Sequence, residues 1–347
     1  MSSSPPPNIR DLAARLGISH TTVSLALRNH PSVAEATRRR VQDLAQKTGY
    51  HSNALVNALM VQVRRGRRIA PSGEVVAYLT SHSGEDDWRQ HPSHRQQFEG
   101  ARQRAEELGF MLQPMWLGDR GLRSRQLDRI LGARGVRGAI LAPLAVDHHT
   151  LELDWAHRAV VTIGYSFRQV PLHRTVHDNV SLMEACYQQL KKLGHKRIGL
   201  VMHETDSARV RHLWVTGFLG AQWRFGGARI APMMFKDFDD DGPFLKWVKK
   251  TRPDAVIGVW RDQPLDWLRN NKISVPAQVG YATLDLGDRV GKIAGMQQDN
   301  TSIGMAAMDM LAGQLFRSEI GMPVSPKVTL VEGTWMDGPT ANRRAES

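Results

Sequence analysis

The chain has 347 residues, 41% of them hydrophobic and 23% charged, with a formal net charge of +12. This length supports two or three domains around a sizeable core, and the composition excludes a disordered or fibrous chain. No stretch approaches the roughly 18 consecutive apolar residues of a membrane span. The opening MSSSPPPNIR lacks the apolar core of a secretory signal, so a cytoplasmic location is expected. Cys186 is the only cysteine, which removes an internal disulfide framework and any multi-cysteine zinc site.

The charge is concentrated at the front. Residues 1–70 carry 11 Lys/Arg against Asp11, Glu35 and Asp43, a net +8; the other 277 residues carry 35 against 31 acids, a net +4. A basic end of this kind suits polyphosphate, meaning nucleic acid or an anionic membrane. On charge alone a solvated basic tail is the plainer alternative.

Patterning within that region narrows the choice. Ile9, Leu12, Ala13 and Leu16 fall at helical spacing. Gly17 follows, suited to a stop and turn through left-handed backbone. Ile18 plugs the corner, and Ser19 is a good N-cap for a second helix over roughly His20 to Leu27. That helix turns Val23, Ala26 and Leu27 inward and His20, Thr21, Thr22, Ser24, Leu25 and Arg28 outward. Short polar residues at the start of an exposed second helix suit reading of a DNA major groove. Ser32 and Glu35 stand in capping-box spacing and open a third helix to about Thr48. Its Val41, Leu44 and Ala45 close a three-helix core.

The run IRDLAARLGISHTTVSLALRNHPSVAEATRRRVQDLAQKTGYHSNALVNALM resembles the DNA-binding headpiece of the lactose/galactose-repressor (LacI/GalR) family. The specific marks are TVS-x-x-L, the T-R-x-x-V helix and GY-x-x-N. The resemblance implies that Ser19, His20, Thr21 and Thr22 face DNA, with Thr22, Ser24 and Asn53 as phosphate anchors. Two positions depart from the pattern: Leu25 stands where the family often has a guanine-reading Arg, and Arg28 where Asn is usual. The bases read are therefore open. The resemblance also implies a hinge helix over residues 53–60 that orders on DNA, with Leu59 wedging a minor-groove base step. Taken as residues alone, Leu55, Val56 and Leu59 read rather as a core face. Arg64, Arg65, Arg67 and Arg68 then lie in a basic linker, as phosphate contacts or as a solvated run. Paired half-sites imply a homodimer on a pseudo-palindromic double-stranded operator.

From Glu74 onward strands and helices alternate. VVAYLT, FMLQPMW, GAILAP, RAVVTIG, RIGLVM, DAVIGVW and QVGYATL read as strands. Helices are expected near 98–108, 122–131, 179–193 and 302–316. Repeated β-α-β units imply parallel sheets with helices on both faces and a ligand position at the carboxyl ends of the strands. HDNVSLMEACYQQLKKLGHKRIGLV, KISVPAQVGY and MQQDNTSIGMAAMDML resemble the core of the same family, which is like a periplasmic sugar-binding protein, two lobes joined by three crossovers. The expected organisation is an all-α helix-turn-helix headpiece over 1–52, a hinge and basic linker over 53–72, and a two-lobed α/β effector-binding and dimerisation domain over 73–347. The first lobe takes 73–175 and 297–326, the second 176–296 and 327–340.

Five positions are effector-contact candidates: Asp178, Arg209, Arg211, Trp214 and Asp285. Asp178 falls where family members often contact an effector, although a helix N-cap accounts for it as well. Trp214 replaces a usual Arg, and Ala282-Thr283 replace a usual Asp pair, with Asp285 two places on. Arg209 or Arg211 compensates for the lost Arg fork. Trp214 either stacks on a sugar or base face, or fills the cleft so that no effector binds. In the helix over 302–316 the Met residues serve a subunit interface or the core. The resemblance implies a transcription regulator of the repressor type, modulated by a small molecule such as a sugar or related metabolite.

An enzyme needs a constellation, and there is no G-x-G-x-x-G, P-loop, H-E-x-x-H or G-x-S-x-G. His91 with His94, and His148 with His149, read as surface loops rather than metal ligands. The acidic run Asp237–Asp241 reads as a solvated turn, because an EF-hand glycine and terminal Glu are missing. No cofactor, metal or catalytic residue is expected. A transport-type binding protein would share the core but have no use for the headpiece.

Overall fold

A computed structural model describes residues 9–27, 33–48, 74–121, 123–144, 150–259 and 262–343. The chain divides into two compact units, the first of residues 1–70 and 313–319 and the second of 71–312 and 320–347.

In the first unit three helices form: α1 (Ile9–Leu16), α2 (His20–Leu27) and α3 (Glu35–Thr48). Leu12, Val23, Ala26 and Val41 are fully buried between them, with Ala13, Val33 and Ala45 nearly so. Small Ala13 and Ala26 at the crossing let the helix axes approach closely, as ridge-and-groove packing requires. Gly17 adopts φ +66° between α1 and α2, a left-handed conformation that a Cβ would strain.

The second unit carries two six-stranded sheets. The first orders β11 (Val328–Val331), β5 (His173–His177), β4 (Ala159–Ile163), β3 (Gly138–Leu141), β1 (Val75–Thr80) and β2 (Met111–Trp116). The second orders β12 (Gly333–Met336), β10 (Ala294–Gln298), β9 (Gly280–Thr283), β8 (Ala255–Gly258), β6 (Ile198–His203) and β7 (Met233–Phe235). Pairing is parallel except for β10 with β12. The central strands are buried along nearly their whole length, as sheets covered on both faces demand.

The covering helices of the first lobe are α4 (Pro92–Leu108), α5 (Ser124–Ala133) and α11 (Asn300–Arg317). Those of the second are α6 (Asn179–Lys192), α7 (Glu204–Arg209), α8 (Leu213–Phe225), α9 (Gly242–Thr251) and α10 (Gln263–Asn270). Two glycines set the α4–α11 approach: a Cβ on Gly304 would stand 1.9 Å from the Gln97 carbonyl oxygen, and one on Gly100 2.1 Å from that of Thr301. Met308 in α11 is fully buried, so the core reading holds for that methionine.

Three crossovers join the lobes. The chain passes from β5 through Asp178 into α6, from β10 through Asp299 into α11, and from β11 through Glu332 into β12. Each boundary lies later than the sequence reading placed it. The largest shift is at the third crossover, where residues 328–331, expected in the second lobe, pair with β5 of the first. A four-residue strand carries too little pattern to name its sheet; its pairing partner decides.

Candidate DNA interface and interlobe site

The helix-turn-helix is held by local hydrogen bonds. Ile18 N–H donates to the Ala13 carbonyl at 3.2 Å, closing α1 around Gly17. Ser19 Oγ accepts the Thr22 N–H at 3.0 Å and lies 2.8 Å from the Thr22 hydroxyl. That cap satisfies one of the otherwise orphaned amides at the helix start. Ser19 and His20 are exposed and Thr22 is half-exposed, which leaves the head of α2 open to a groove. The turn thus follows the sequence reading.

On α2, Leu27, expected inward, packs half-buried against the headpiece core. Leu25, expected outward, is also half-buried and packs against the headpiece core. A long apolar side chain gains by covering apolar surface rather than standing in water, so Leu25 presents only part of itself to a partner. The side chains of Thr21 and Ser24, and all of Arg28, Asn53, Leu59, the basic linker, His148 and His149, lie outside the described residues.

Between the lobes, the carboxyl ends of the strands bring together a second set of groups. β1 runs into Ser81 and His82, whose carbonyl accepts the Trp116 Nε1–H at 3.0 Å. The Arg123 guanidinium stands 4.8 Å from the Trp116 ring centre. β4 runs into Tyr165, flanked by Arg174 at 5.5 Å and by Arg211 of the second lobe at 5.9 Å from its ring centre. Arg168 Nη2 donates across to the Ala208 carbonyl at 3.0 Å. The loop after α7 is thereby tied to the first lobe. It holds two consecutive left-handed non-glycine residues, Arg211 at φ +57° and His212 at φ +60°, a strain of order 1 kcal/mol or more apiece that is typical of functional loops. His212 Nδ1 lies 2.8 Å from Ser207 Oγ.

The five effector candidates fall into different places. Arg209, the last residue of α7, and Arg211, in the loop after it, meet the first lobe. Asp178 caps α6, its two carboxylate oxygens accepting from Ser181 N–H at 3.0 Å and Ser181 Oγ–H at 2.8 Å; a carboxylate has further lone pairs for a ligand. Asp285, 9% exposed, lies beyond β9, where Oδ1 accepts the Gly287 N–H at 3.1 Å. Arg289 donates to the Asp285 backbone carbonyl and pairs with Asp262 at 2.5 Å. Burial pushes the Asp285 carboxyl up to about 6. Of the two roles open to Trp214, the stacking one is overturned. The indole is fully buried in the second lobe's core with Phe218 and Ala221, because Trp214, Gly217, Phe218 and Ala221 form the inward stripe of α8. It offers no face for stacking on a ligand.

Other groups near the lobe junction escaped the sequence reading. His177, at the end of β5, lies 3.2 Å from Asn300 Oδ1, which also accepts Gln97 Nε2–H at 2.8 Å. Burial holds His177 down to about 4. His91 is exposed, at the N-cap position of α4 without a side-chain cap hydrogen bond, whereas His94, expected in a surface loop, lies half-buried in the first turn of α4. A usable signal was the position of His82 just past a predicted strand. Asp237–Asp241 is a turn, with Asp237 and Asp240 accepting from Asp239 and Gly242 N–H groups at 2.9 and 3.0 Å. No group of three or more His, Cys, Asp or Glu among the described residues is placed to hold a metal ion. Among the same residues no helix is long and apolar enough to cross a membrane.

The family profile "Bacterial regulatory proteins, lacI family" matches residues 8–53, and "Periplasmic binding proteins and sugar binding domain of LacI family" matches residues 85–244. The chain thus carries a LacI-family helix-turn-helix domain and a periplasmic-binding, sugar-binding domain of the LacI-family type. Over 75 residues it is 36% identical to the probable HTH-type transcriptional repressor ExuR of Bacillus subtilis (strain 168), a match spanning only 22% of each chain. Among solved structures, a transcriptional regulator CelR–cellobiose complex superposes with a TM-score of 0.60 at 19% identity, covering 96% of this chain and 99% of that one. A lac repressor dimer bound to operator and the anti-inducer ONPF superposes at 0.56 with 16% identity, covering 97% and 100%. These likenesses show a shared fold.

Proposed function

We propose that this LacI-family chain is a transcriptional repressor that binds a pseudo-palindromic DNA operator as a homodimer. Residues 1–52 form its headpiece, residues 53–72 its hinge and linker, and the two-lobed core its effector and dimerisation domain. The observation that carries the reading is the exposed, Ser19-capped head of α2 behind the Gly17 turn, in the part of the chain holding most of the net positive charge. Ser19, His20, Thr21, Thr22, Ser24, Leu25 and Arg28 read or flank the major groove, Asn53 anchors phosphate, and Leu59 wedges the minor groove. ExuR is named a repressor, and the lac repressor was solved as a dimer on its operator; both support the assignment.

The core binds a small-molecule effector between the lobes, at Asp178, Arg209, Arg211 and Asp285. CelR in complex with cellobiose supports a sugar or related metabolite. The protein acts in the cytoplasm, and its function involves no catalysis.

Selection of genomic fragments bound by the full chain, followed by a screen of metabolites for release, tests the proposal. A single palindromic consensus is expected, with a log K against log salt slope of several units, each neutralised phosphate contributing roughly −0.9. Absence of a consensus, or a nearly flat salt dependence, rejects it.

A further inference from the structure

His82, His91 and His94 gather where β1 opens toward the second lobe. Their ring centres lie 5.7 Å apart for His82–His91, 5.1 Å for His82–His94 and 5.3 Å for His91–His94. The Nδ1 atoms of His82 and His94 are buried and have no hydrogen-bond partner among the described residues. Buried polar atoms are otherwise nearly always satisfied, so two orphans side by side point to a missing acceptor or donor. From the second lobe, Arg209 stands close enough to depress both imidazoles. The acids nearby are already engaged: Asp87 faces His82 but accepts the Gly84 N–H at 2.6 Å, and Asp206 interacts with Arg209. A metal is the wrong occupant, because a guanidinium beside the rings repels a cation and the ring nitrogens do not form a ligand set.

We infer that the interlobe site takes a ligand carrying a carboxylate or a phosphate, gripped by Arg209 together with His82 and His94. The inference rests on the cleft being an effector site, and deepens it by naming the ligand's charge. An Arg fork supplies the matching geometry for either anion. The neighbouring imidazoles supply further donors.

A pH dependence follows. Burial, the neighbouring His91 and Arg209 hold His82 below its usual value; burial, His82, Arg209 and His91 hold His94 down to about 3. An anion between these groups opposes the repulsion and favours the imidazolium form. Protonation and binding therefore help each other, and affinity rises as pH falls, by up to about tenfold per pH unit for each proton taken up.

The test is calorimetry on the full-length protein with glucose, glucuronate, glucose 6-phosphate and inorganic phosphate, at about pH 6 and about pH 8. At least one anionic probe should bind, with affinity roughly tenfold or more higher at the lower pH. Glucuronate alone indicates a carboxylate; glucose 6-phosphate with inorganic phosphate indicates a phosphate. Arg209→Gln and His94→Gln should each weaken it about tenfold or more, with circular dichroism and operator binding retained, while Arg209→Lys should keep part of the affinity. Should a Gln variant unfold, the pH dependence of the unaltered protein still decides. Glucose binding as tightly as glucuronate, releasing operator and ignoring pH, overturns the inference while leaving the effector reading intact. Binding of none of the four probes also overturns it, and the metabolite screen on operator release then judges the effector reading separately.

Discussion

Ser19 and Thr22 are joined twice, through the Thr22 N–H to Ser19 Oγ at 3.0 Å and through their hydroxyls at 2.8 Å. The same short polar residues that fix where α2 begins are those expected to meet DNA. Ser19→Ala should destabilise the headpiece by about 1 kcal/mol, the usual cost of losing an N-cap, read by urea unfolding. Ser19→Asp should restore the cap while setting a carboxylate against phosphate, so stability returns and operator affinity, by fluorescence anisotropy, does not. Full recovery of affinity by Ser19→Asp would remove Ser19 from the interface.

Leu25 is half-buried against the headpiece core, and it has no donor for a base edge. The base pair facing it should be A·T-biased or weakly specified. Leu25→Arg should create a G·C preference at that one position, worth about 1–3 kcal/mol, at a small cost in stability from the lost packing. Operator selection on both proteins measures it. A strict guanine requirement already present in the unaltered protein, and unmoved by the substitution, would show that Leu25 does not reach the groove.

Asp285 is buried with its carboxyl raised to about 6 by desolvation. A raised carboxyl favours the folded state fully only below its unfolded value near 3.8, and that contribution is lost as pH rises through about 6. At neutral pH the charge is therefore a burden. Asp285→Asn, which keeps an oxygen for the Gly287 N–H, should raise stability at about pH 7.5 by on the order of 1–2 kcal/mol and should weaken effector response. Thermal melts at about pH 5 and about pH 7.5 check the sign: the gain should shrink at the lower pH. A gain that is equal at both would argue against a buried charge.

His177 lies at the first crossover, bonded to Asn300 at the second, with its imidazole held down to about 4 by burial. For a lowered histidine, the unfolded chain binds the proton first. Stability is present above about 6.5 and falls as pH drops toward 4. The second unit's melting temperature should accordingly decline between about pH 6.5 and pH 4.5. His177→Gln should flatten that decline, although His94 contributes with the same sign. A variant with an unchanged slope would exclude His177 as the titrating group.

Much of this protein was legible in its residues. The 3.6-residue rhythm of Ile9, Leu12, Ala13 and Leu16, the Gly17 stop and the Ser19 cap are local signals, and local physics settles them: α1, α2 and α3 form where those signals place them. Apolar runs such as VVAYLT and RAVVTIG are long enough to name buried parallel strands, and their alternation with helices implies the two-lobed core. Pairing and convergence were decided elsewhere. Residues 328–331 joined β5 because a hydrogen-bonding partner, not their own pattern, sets the sheet. Trp214 turned into the core because the stripe it shares with Phe218 and Ala221 outweighs its place in a ligand-contact motif. Arg209, more than a hundred positions from His82 and His94 in chain order, became their neighbour only through the closing of one lobe on the other. Periodicity reports what a residue does to its own element; long-range electrostatics needs the fold to bring the charges within reach.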